Sequence, residues 1–127
     1  MAVLWVWGPA LAQMVAIFVL SSIPAVPSLP GGLTGYTGHF IGYGLLGALT
    51  LRGFARAKWN GMTASAAWRA LAFASLYGVT DEFHQSFVPN RDASVEDWIA
   101  DVAGAITGVL ITLLAARLQR RGDVRDV

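Results

Sequence analysis

Four long apolar stretches, separated by polar or proline-rich segments, divide the chain. They cover roughly residues 3–20, 36–54, 64–85 and 95–116. Each is close to the ~20 apolar residues that a helix needs to cross the ~30 Å hydrocarbon core of a bilayer. Because lipid offers no partner to backbone N–H and C=O groups, such segments form helices. The pattern therefore predicts an all-α fold: an integral membrane four-helix bundle that forms a single domain over residues 1–127.

The composition narrows the class of protein. Of the 127 residues, 55% are apolar and 13% are charged, against about 25% charged in ordinary soluble domains. The chain has no cysteine, which excludes a disulfide framework and a thiolate metal site. A formal net charge of +1 provides no basic surplus for phosphate contacts, so we predict no nucleic-acid partner. The high apolar content predicts that the partner of the chain is a lipid bilayer.

The placement of charges predicts an orientation. Lysine and arginine in short loops mark the cytoplasmic side of a membrane protein. Eight basic residues lie in or next to the second interhelical segment, or in the C-terminal tail: Arg52, Arg56, Lys58, Arg69, Arg117, Arg120, Arg121 and Arg125. Four spans with both clusters inside put the N- and C-termini in the cytoplasm and the loops 21–37 and 86–94 outside. The polar tail after Arg117 is expected to fray.

Polar residues recur at helical spacing where the second, third and fourth stretches reach the predicted outer side. Residues three, four, seven or eleven apart share a helix face, and the residues on these faces are His39, Tyr43, Asp81, Glu82, Gln85, Asp97 and Asp101. Carboxylates facing lipid there would cost several kcal/mol, so we expect them to turn inward. Gly104 and Gly108 would let helices approach closely beneath them. The pattern predicts an acidic pocket open to the outside.

The order of these residues resembles that of a known family. The relevant motifs are Ser21-Ser22-Ile23-Pro24, His39-Phe40 with Tyr43 and Leu46, Asp81-Glu82-Phe83-His84-Gln85, and then Pro89, Arg91, Asp97, Asp101 and Gly104. Over about residues 14–110 they resemble the VanZ-like family of small bacterial membrane proteins. The resemblance implies a multi-pass protein of the bacterial cytoplasmic (inner) membrane with a link to glycopeptide (teicoplanin) resistance. It implies a fold and a site, and no particular reaction.

These observations leave three hypotheses for function. The first is binding of a cell-envelope or lipid-headgroup ligand, such as a lipid-linked molecule or a glycopeptide. Its binding residues would be His39, Tyr43, Asp81, Glu82, Gln85, Arg91, Asp97 and Asp101. The second is a membrane enzyme in which Glu82 or Asp101 is the base, His39 shuttles the proton and Arg91 clamps an anionic group. The third is a small transporter component, since intramembrane acids often mark ion pathways.

Structural interpretations stand beside the functional ones. Ser94 can cap the fourth helix while Asp97 reaches back to its backbone N–H. Arg91 can neutralise Asp81 or Asp97 and hold the outer loop, and His39 can hydrogen-bond a loop carbonyl. The spacing of acids and histidine matches no metal-binding motif, so we predict no metal site, although such side chains can hold a divalent ion. No cofactor and no oligomeric state are indicated by the sequence.

Overall fold

The computed structural model describes residues 2–24 and 35–125, which are mostly helical. The helices are α1 (Ala2–Ser21), α2 (Gly35–Phe54), α3 (Ala64–Gln85) and α4 (Val95–Arg125), with a 3₁₀ turn at Trp59–Gly61. The described residues contain no strand. The predicted all-α fold with four helices is therefore confirmed. Most of the outer loop predicted at residues 21–37 lies outside the described residues.

The helices alternate in direction, which gives the bundle two chemically different ends. At one end, which we call the acidic end, Ser21 at the end of α1 donates a hydrogen bond to Asp81 near the end of α3. His39 near the start of α2 lies 2.8 Å from Asp101 near the start of α4. The end of α1 therefore meets the end of α3, and the start of α2 meets the start of α4. The hydrogen bond from Ser94 to Glu82 joins the two pairs at this end.

The opposite end, which we call the basic end, is held by arginines bonded to backbone carbonyls. Arg52 in the last turn of α2 donates to the carbonyls of Trp5 and Val6 at the start of α1, each at 2.8 Å. Arg120 of α4 donates to the carbonyl of Trp59 at 3.0 Å. The basic and acidic stretches of the sequence thus lie at opposite ends of the molecule.

Helices α2 and α4 pack closely because glycines face backbone at their crossing. A Cβ atom at Gly104 would collide with the carbonyl of Phe40, and one at Gly108 would collide with the carbonyl of Gly44. A Cβ at Gly47 would lie 2.6 Å from the Ala105 carbonyl oxygen. The close approach predicted at Gly104 and Gly108 is present, and it brings the second turns of α2 and α4 within hydrogen-bonding reach at His39 and Asp101.

Apolar side chains lie both inside and outside the bundle. Leu46, Leu51 and Ala70 are fully buried in the interior. Every helix also exposes large apolar side chains, among them Leu11, Phe18, Ile41, Leu45, Leu76, Val79, Ile106 and Leu110. Soluble monomers rarely expose apolar surface on this scale. The outer face of the bundle is therefore more apolar than the surface of an ordinary soluble monomer.

Two helices satisfy the length and apolarity needed to cross a membrane on their own. They are α1, of which 11% of the most apolar window is buried, and residues Val95–Gly122 of α4, of which 28% is buried. These low fractions are unlike those of a soluble protein's core helix. Helix α2 is rich in glycine and α3 carries Arg69, Asp81 and Glu82, so both are less apolar.

The C-terminal tail departs from expectation. Fraying was predicted after Arg117, and this prediction is wrong, because α4 continues to Arg125. Ala116 is fully buried, and the Arg120 hydrogen bond to Trp59 fixes the helix one turn later. Cations near a helix C-terminus also interact favourably with the helix dipole. Tertiary contacts thus extend a helix whose composition alone does not favour it.

Candidate functional site

Four titratable side chains from three helices meet at the acidic end. We call His39, Glu82, Asp97 and Asp101 the His39 cluster. His39 Nδ1 lies 2.8 Å from Asp101 Oδ1 and 3.9 Å from Glu82 Oε1, while Nε2 lies 3.8 Å from Asp97 Oδ2. One imidazole thus contacts a carboxylate on each side of its ring. These four residues, predicted to converge from helical spacing, lie together in the structure.

Burial varies across the His39 cluster. The Asp101 side chain is fully buried, those of His39 and Glu82 are 12% exposed, and that of Asp97 is 18% exposed. Gly78 of α3 makes room for Asp101, since a Cβ there would lie 3.0 Å from Asp101 Oδ2. The cluster is therefore closed at Asp101 and reached from outside near Asp97.

Two buried carboxylate oxygens in the cluster have no hydrogen-bond partner among the described residues. Glu82 Oε2 accepts a hydrogen bond from the Ser94 backbone N–H at 2.8 Å, which fixes the carboxylate at the α3–α4 turn. Its second oxygen, Oε1, is buried and has no hydrogen-bond partner among the described residues, and the same holds for Asp101 Oδ2. Buried polar atoms are normally paired. The cluster therefore retains unused acceptor capacity.

The start of α4 explains why Asp97 faces the cluster. Ser94 caps the helix, since its Oγ accepts from the Asp97 backbone N–H at 2.9 Å. The reciprocal bond predicted for Asp97 is absent, because the Ser94 N–H donates to Glu82 instead. The expectation that Asp97 reaches back to Ser94 is therefore wrong. Its carboxylate is left to face His39.

A second polar group, beside the cluster, is internally satisfied. Asp81 accepts hydrogen bonds from Ser21 Oγ, from Tyr43 OH at 3.2 Å and from Gln85 Nε2 at 3.3 Å. All four residues are buried, and we call them the Asp81 network. Tyr43, Asp81 and Gln85 were predicted as binding residues, but their polar atoms bond one another across α1, α2 and α3.

Ser21 belongs to the Asp81 network and was missed as a site residue. A signal for it existed, because Ser21-Ser22-Ile23-Pro24 is one of the motifs in the sequence. The sequence alone does not indicate which of the two adjacent serines, Ser21 or Ser22, faces the site. The structure buries Ser21 against Asp81, whereas Ser22 bonds the carbonyl of its own helix at Phe18.

Arg91 and His84 lie apart from the His39 cluster. Arg91 Nη2 donates to the Leu20 carbonyl at 3.0 Å, and among the described residues it forms no ion pair with a carboxylate. It therefore holds the outer turn against α1, as the structural interpretation expected, and does not neutralise Asp81 or Asp97. His84 stacks on Phe18, with ring centroids 4.5 Å apart.

The arrangement defines what the His39 cluster can do. Three carboxylates around one imidazole, with no lysine or arginine among them, attract cations and hydrogen-bond donors. The pairing of His39 with Asp101 also allows proton transfer. Single donor atoms of His39, Glu82 and Asp101 lie within 4.8 Å of one another, a spacing near that of a shared metal ion.

Comparison with known proteins places the chain in a family. The family model described as VanZ/LLP1 matches residues 8–116, a range that contains both the His39 cluster and the Asp81 network. No curated protein and no solved structure matches the chain. The family and the two apolar helices together indicate a membrane protein. Since the match covers most of the sequence, the chain belongs to the VanZ/LLP1 family.

Proposed function

We propose that this protein crosses the bacterial cytoplasmic membrane four times, with both termini in the cytoplasm and the acidic end outside. The separation of charge supports this orientation, because positive residues favour the cytoplasmic side. The exposed apolar side chains on all four helices support insertion. The helix ends carrying the His39 cluster would then lie at the outer leaflet.

We further propose that the His39 cluster binds a cell-envelope or lipid-headgroup ligand. The observation that carries this proposal is the convergence of His39, Glu82, Asp97 and Asp101 from three helices, with two buried oxygens unpaired. A buried carboxylate oxygen without a hydrogen-bond partner lowers the stability of the fold unless a ligand binds it. The surrounding carboxylates favour a ligand that presents a cation or several hydrogen-bond donors.

Native mass spectrometry of gently extracted protein tests the binding proposal. We expect wild-type protein to retain a lipid or envelope molecule, and the double variant Glu82→Gln/Asp101→Asn to lose it. The matched control is Glu96→Gln/Asp92→Asn, which removes two charges at the same end from exposed positions. Equal retention by both double variants, or no retained molecule in wild type, would contradict the proposal.

The family resemblance supplies a readout in cells. If the ligand is connected to glycopeptide action, expression of wild-type protein raises tolerance to teicoplanin. The Glu82→Gln/Asp101→Asn variant abolishes the increase and the Glu96→Gln/Asp92→Asn control keeps it. Correct insertion of each variant is checked by its level in the membrane fraction.

A second candidate function is acid–base catalysis on a lipid-linked substrate. The observation that favours it is the His39–Asp101 hydrogen bond beside the unpaired Glu82 Oε1, which places a proton donor and an acceptor together. Catalysis would reveal itself as conversion of the retained molecule by wild type and not by the Glu82→Gln variant. Binding alone would leave that molecule unchanged.

The interior of the helix bundle gives less support to a transport function. Thr50 is the one buried polar residue away from the acidic end among the described residues, and its hydroxyl bonds the carbonyls of its own helix. The remaining core toward the basic end is apolar, with Leu51, Ala70 and Val109 at its centre. A path for ions through one subunit would need polar groups there.

A further inference from the structure

We propose that His39, Glu82 and Asp101 bind a divalent metal ion of the class that accepts imidazole and carboxylate ligands together, such as Zn²⁺. The inference concerns the same cluster as the proposed function, and it rests on that function only in requiring the cluster to be reachable from outside. It names what the cluster binds directly.

The first support is geometric. One donor atom from each of the three residues lies within 4.8 Å of the others. A metal with bonds of about 2.0–2.2 Å holds its ligand atoms roughly 3–4 Å apart. A movement of about 1 Å, within reach of side-chain rotation, brings the three atoms to that spacing.

The second support is independent of the clustering and lies in unmet bonding capacity. The Glu82 side chain is 12% exposed and the Asp101 side chain is fully buried, yet Glu82 Oε1 and Asp101 Oδ2 have no hydrogen-bond partner among the described residues. Oε1 is aimed into the cluster, 3.9 Å from His39 Nδ1. A buried carboxylate oxygen without a partner is costly. A bound cation removes that cost at the place where the atom points.

Charge and ligand type select the ion. Asp97 adds a third carboxylate, 3.8 Å from His39 Nε2, and the nearest outer-loop cation, Arg91, is bonded to the Leu20 carbonyl instead. His39 is the one side chain of the cluster that can balance this charge, and it can balance a single carboxylate. A dication that displaces the proton shared by His39 Nδ1 and Asp101 Oδ1 would neutralise more of it. Calcium and magnesium favour sites made only of oxygen atoms, whereas an imidazole with two carboxylates suits zinc.

A metal would also explain how an acidic cluster can bind an anionic headgroup. Three protein ligands leave at least one position of a tetrahedral ion open. That position would accept a phosphate or carboxylate oxygen, which the bare carboxylates would repel. The cluster then acts as a cation-bridged site for the anionic group of an envelope lipid or a peptide.

Zinc titration of the full chain tests the inference. Protein purified in detergent is treated with a chelator, dialysed, and titrated with Zn²⁺ by isothermal calorimetry. We expect one ion per chain. Glu82→Gln and Asp101→Asn should each weaken binding by about 100-fold or more, since changes even to outer-shell partners cost 10–100-fold. Glu96→Gln and Asp92→Asn should leave affinity unchanged.

The variants are chosen to preserve the fold. Glutamine at position 82 still accepts from the Ser94 N–H, and asparagine at position 101 still bonds His39, so only charge and metal affinity are lost. Circular dichroism and gel filtration verify this. The inference is overturned if wild type binds no zinc saturably, or if all four variants bind it equally.

The two proposals fail separately. If chelated protein retains an envelope molecule but binds no Zn²⁺, the metal inference is wrong and the binding proposal stands. If Zn²⁺ binds at the cluster while no envelope molecule is ever retained, the metal inference is supported and the ligand proposal is wrong.

Discussion

The acids at the acidic end differ in how much of their bonding capacity the protein itself uses. Asp81 accepts three hydrogen bonds from Ser21, Tyr43 and Gln85. Glu82, its neighbour in sequence, uses one oxygen for the Ser94 N–H and leaves the other unpaired. Adjacent carboxylates thus have opposite roles, because successive residues of a helix point about 100° apart. Asp81 ties helices together, while Glu82 keeps the free acceptor on which the binding proposal rests.

A prediction at the residue scale concerns the Asp81 network. Tyr43→Phe removes one of three hydrogen bonds to Asp81 without changing the ring that packs in the core. We expect a loss of about 1–2 kcal/mol in stability, the range for a buried hydrogen bond to a carboxylate within a membrane bundle. Thermal unfolding in detergent measures it. Tyr36→Phe is the control, since Tyr36 is exposed. An unchanged midpoint in Tyr43→Phe would refute the structural role of this bond.

At the scale of elements, the contact between α2 and α4 positions the site. Their glycines allow the backbones to approach so closely that His39 and Asp101 meet. Helix α3 adds Glu82 from its last turn, and the short turn to α4 is fixed by Glu82 bonding Ser94. The geometry of the cluster therefore depends on helix packing as much as on the acids themselves.

A prediction at this scale is that widening the helix crossing damages both the fold and the cluster. Gly108→Ala places a methyl group against the Gly44 carbonyl, and overpacking of this kind costs about 1–3 kcal/mol. We expect a lower thermal midpoint together with weaker Zn²⁺ binding. Gly122→Ala lies on the same helix with nothing near its Cβ and should not destabilise. If both variants melted together with wild type, tight packing at Gly108 would be disproved.

At the scale of the molecule, charged side chains are separated along the bundle axis, whereas apolar side chains are spread around its sides. The His39 cluster and the Asp81 network lie at one end of the bundle, and Arg52 and Arg120 lie at the other, while apolar side chains surround the sides. A lipid bilayer is the solvent that matches both distributions, because it is apolar in the middle and attracts positive residues on one side. The proposed orientation follows from the separation of charge, and the proposed insertion follows from the apolar sides.

Labelling of single cysteines tests this orientation, and the chain has no cysteine of its own to interfere. Asp92→Cys at the acidic end should react with a membrane-impermeant maleimide in intact cells. Asn60→Cys at the basic end should react only after the membrane is permeabilised. Both positions are exposed, so burial does not explain a difference. The reverse pattern of labelling would invert the proposed topology and place the His39 cluster inside the cell.

The bundle could be predicted because helical apolar stretches are a local property. The lengths of α1, α2 and α3 follow from runs of apolar residues bounded by proline, glycine and charge. The convergence of His39, Glu82, Asp97 and Asp101 could be predicted as well, since alternating helices bring alternate ends to one side. The end of α4 could not, because the contacts of Ala116 and Arg120 that extend it involve other parts of the chain.

The division of the polar residues into a satisfied network and an open cluster required the tertiary structure. Helical spacing puts Asp81, Glu82 and Gln85 in one region but does not say which donors reach them. Ser21 reaches Asp81 across 60 positions of sequence, and Arg91 bonds a carbonyl rather than an acid. The sequence shows no metal-binding motif because the three proposed ligands come from three different helices and meet only in the folded protein. Sequence alone determined where chemistry-bearing residues gather, because that depends on apolar length and alternation. Tertiary structure decided which of them stay unpaired, because hydrogen bonds depend on distances of a few ångströms between helices.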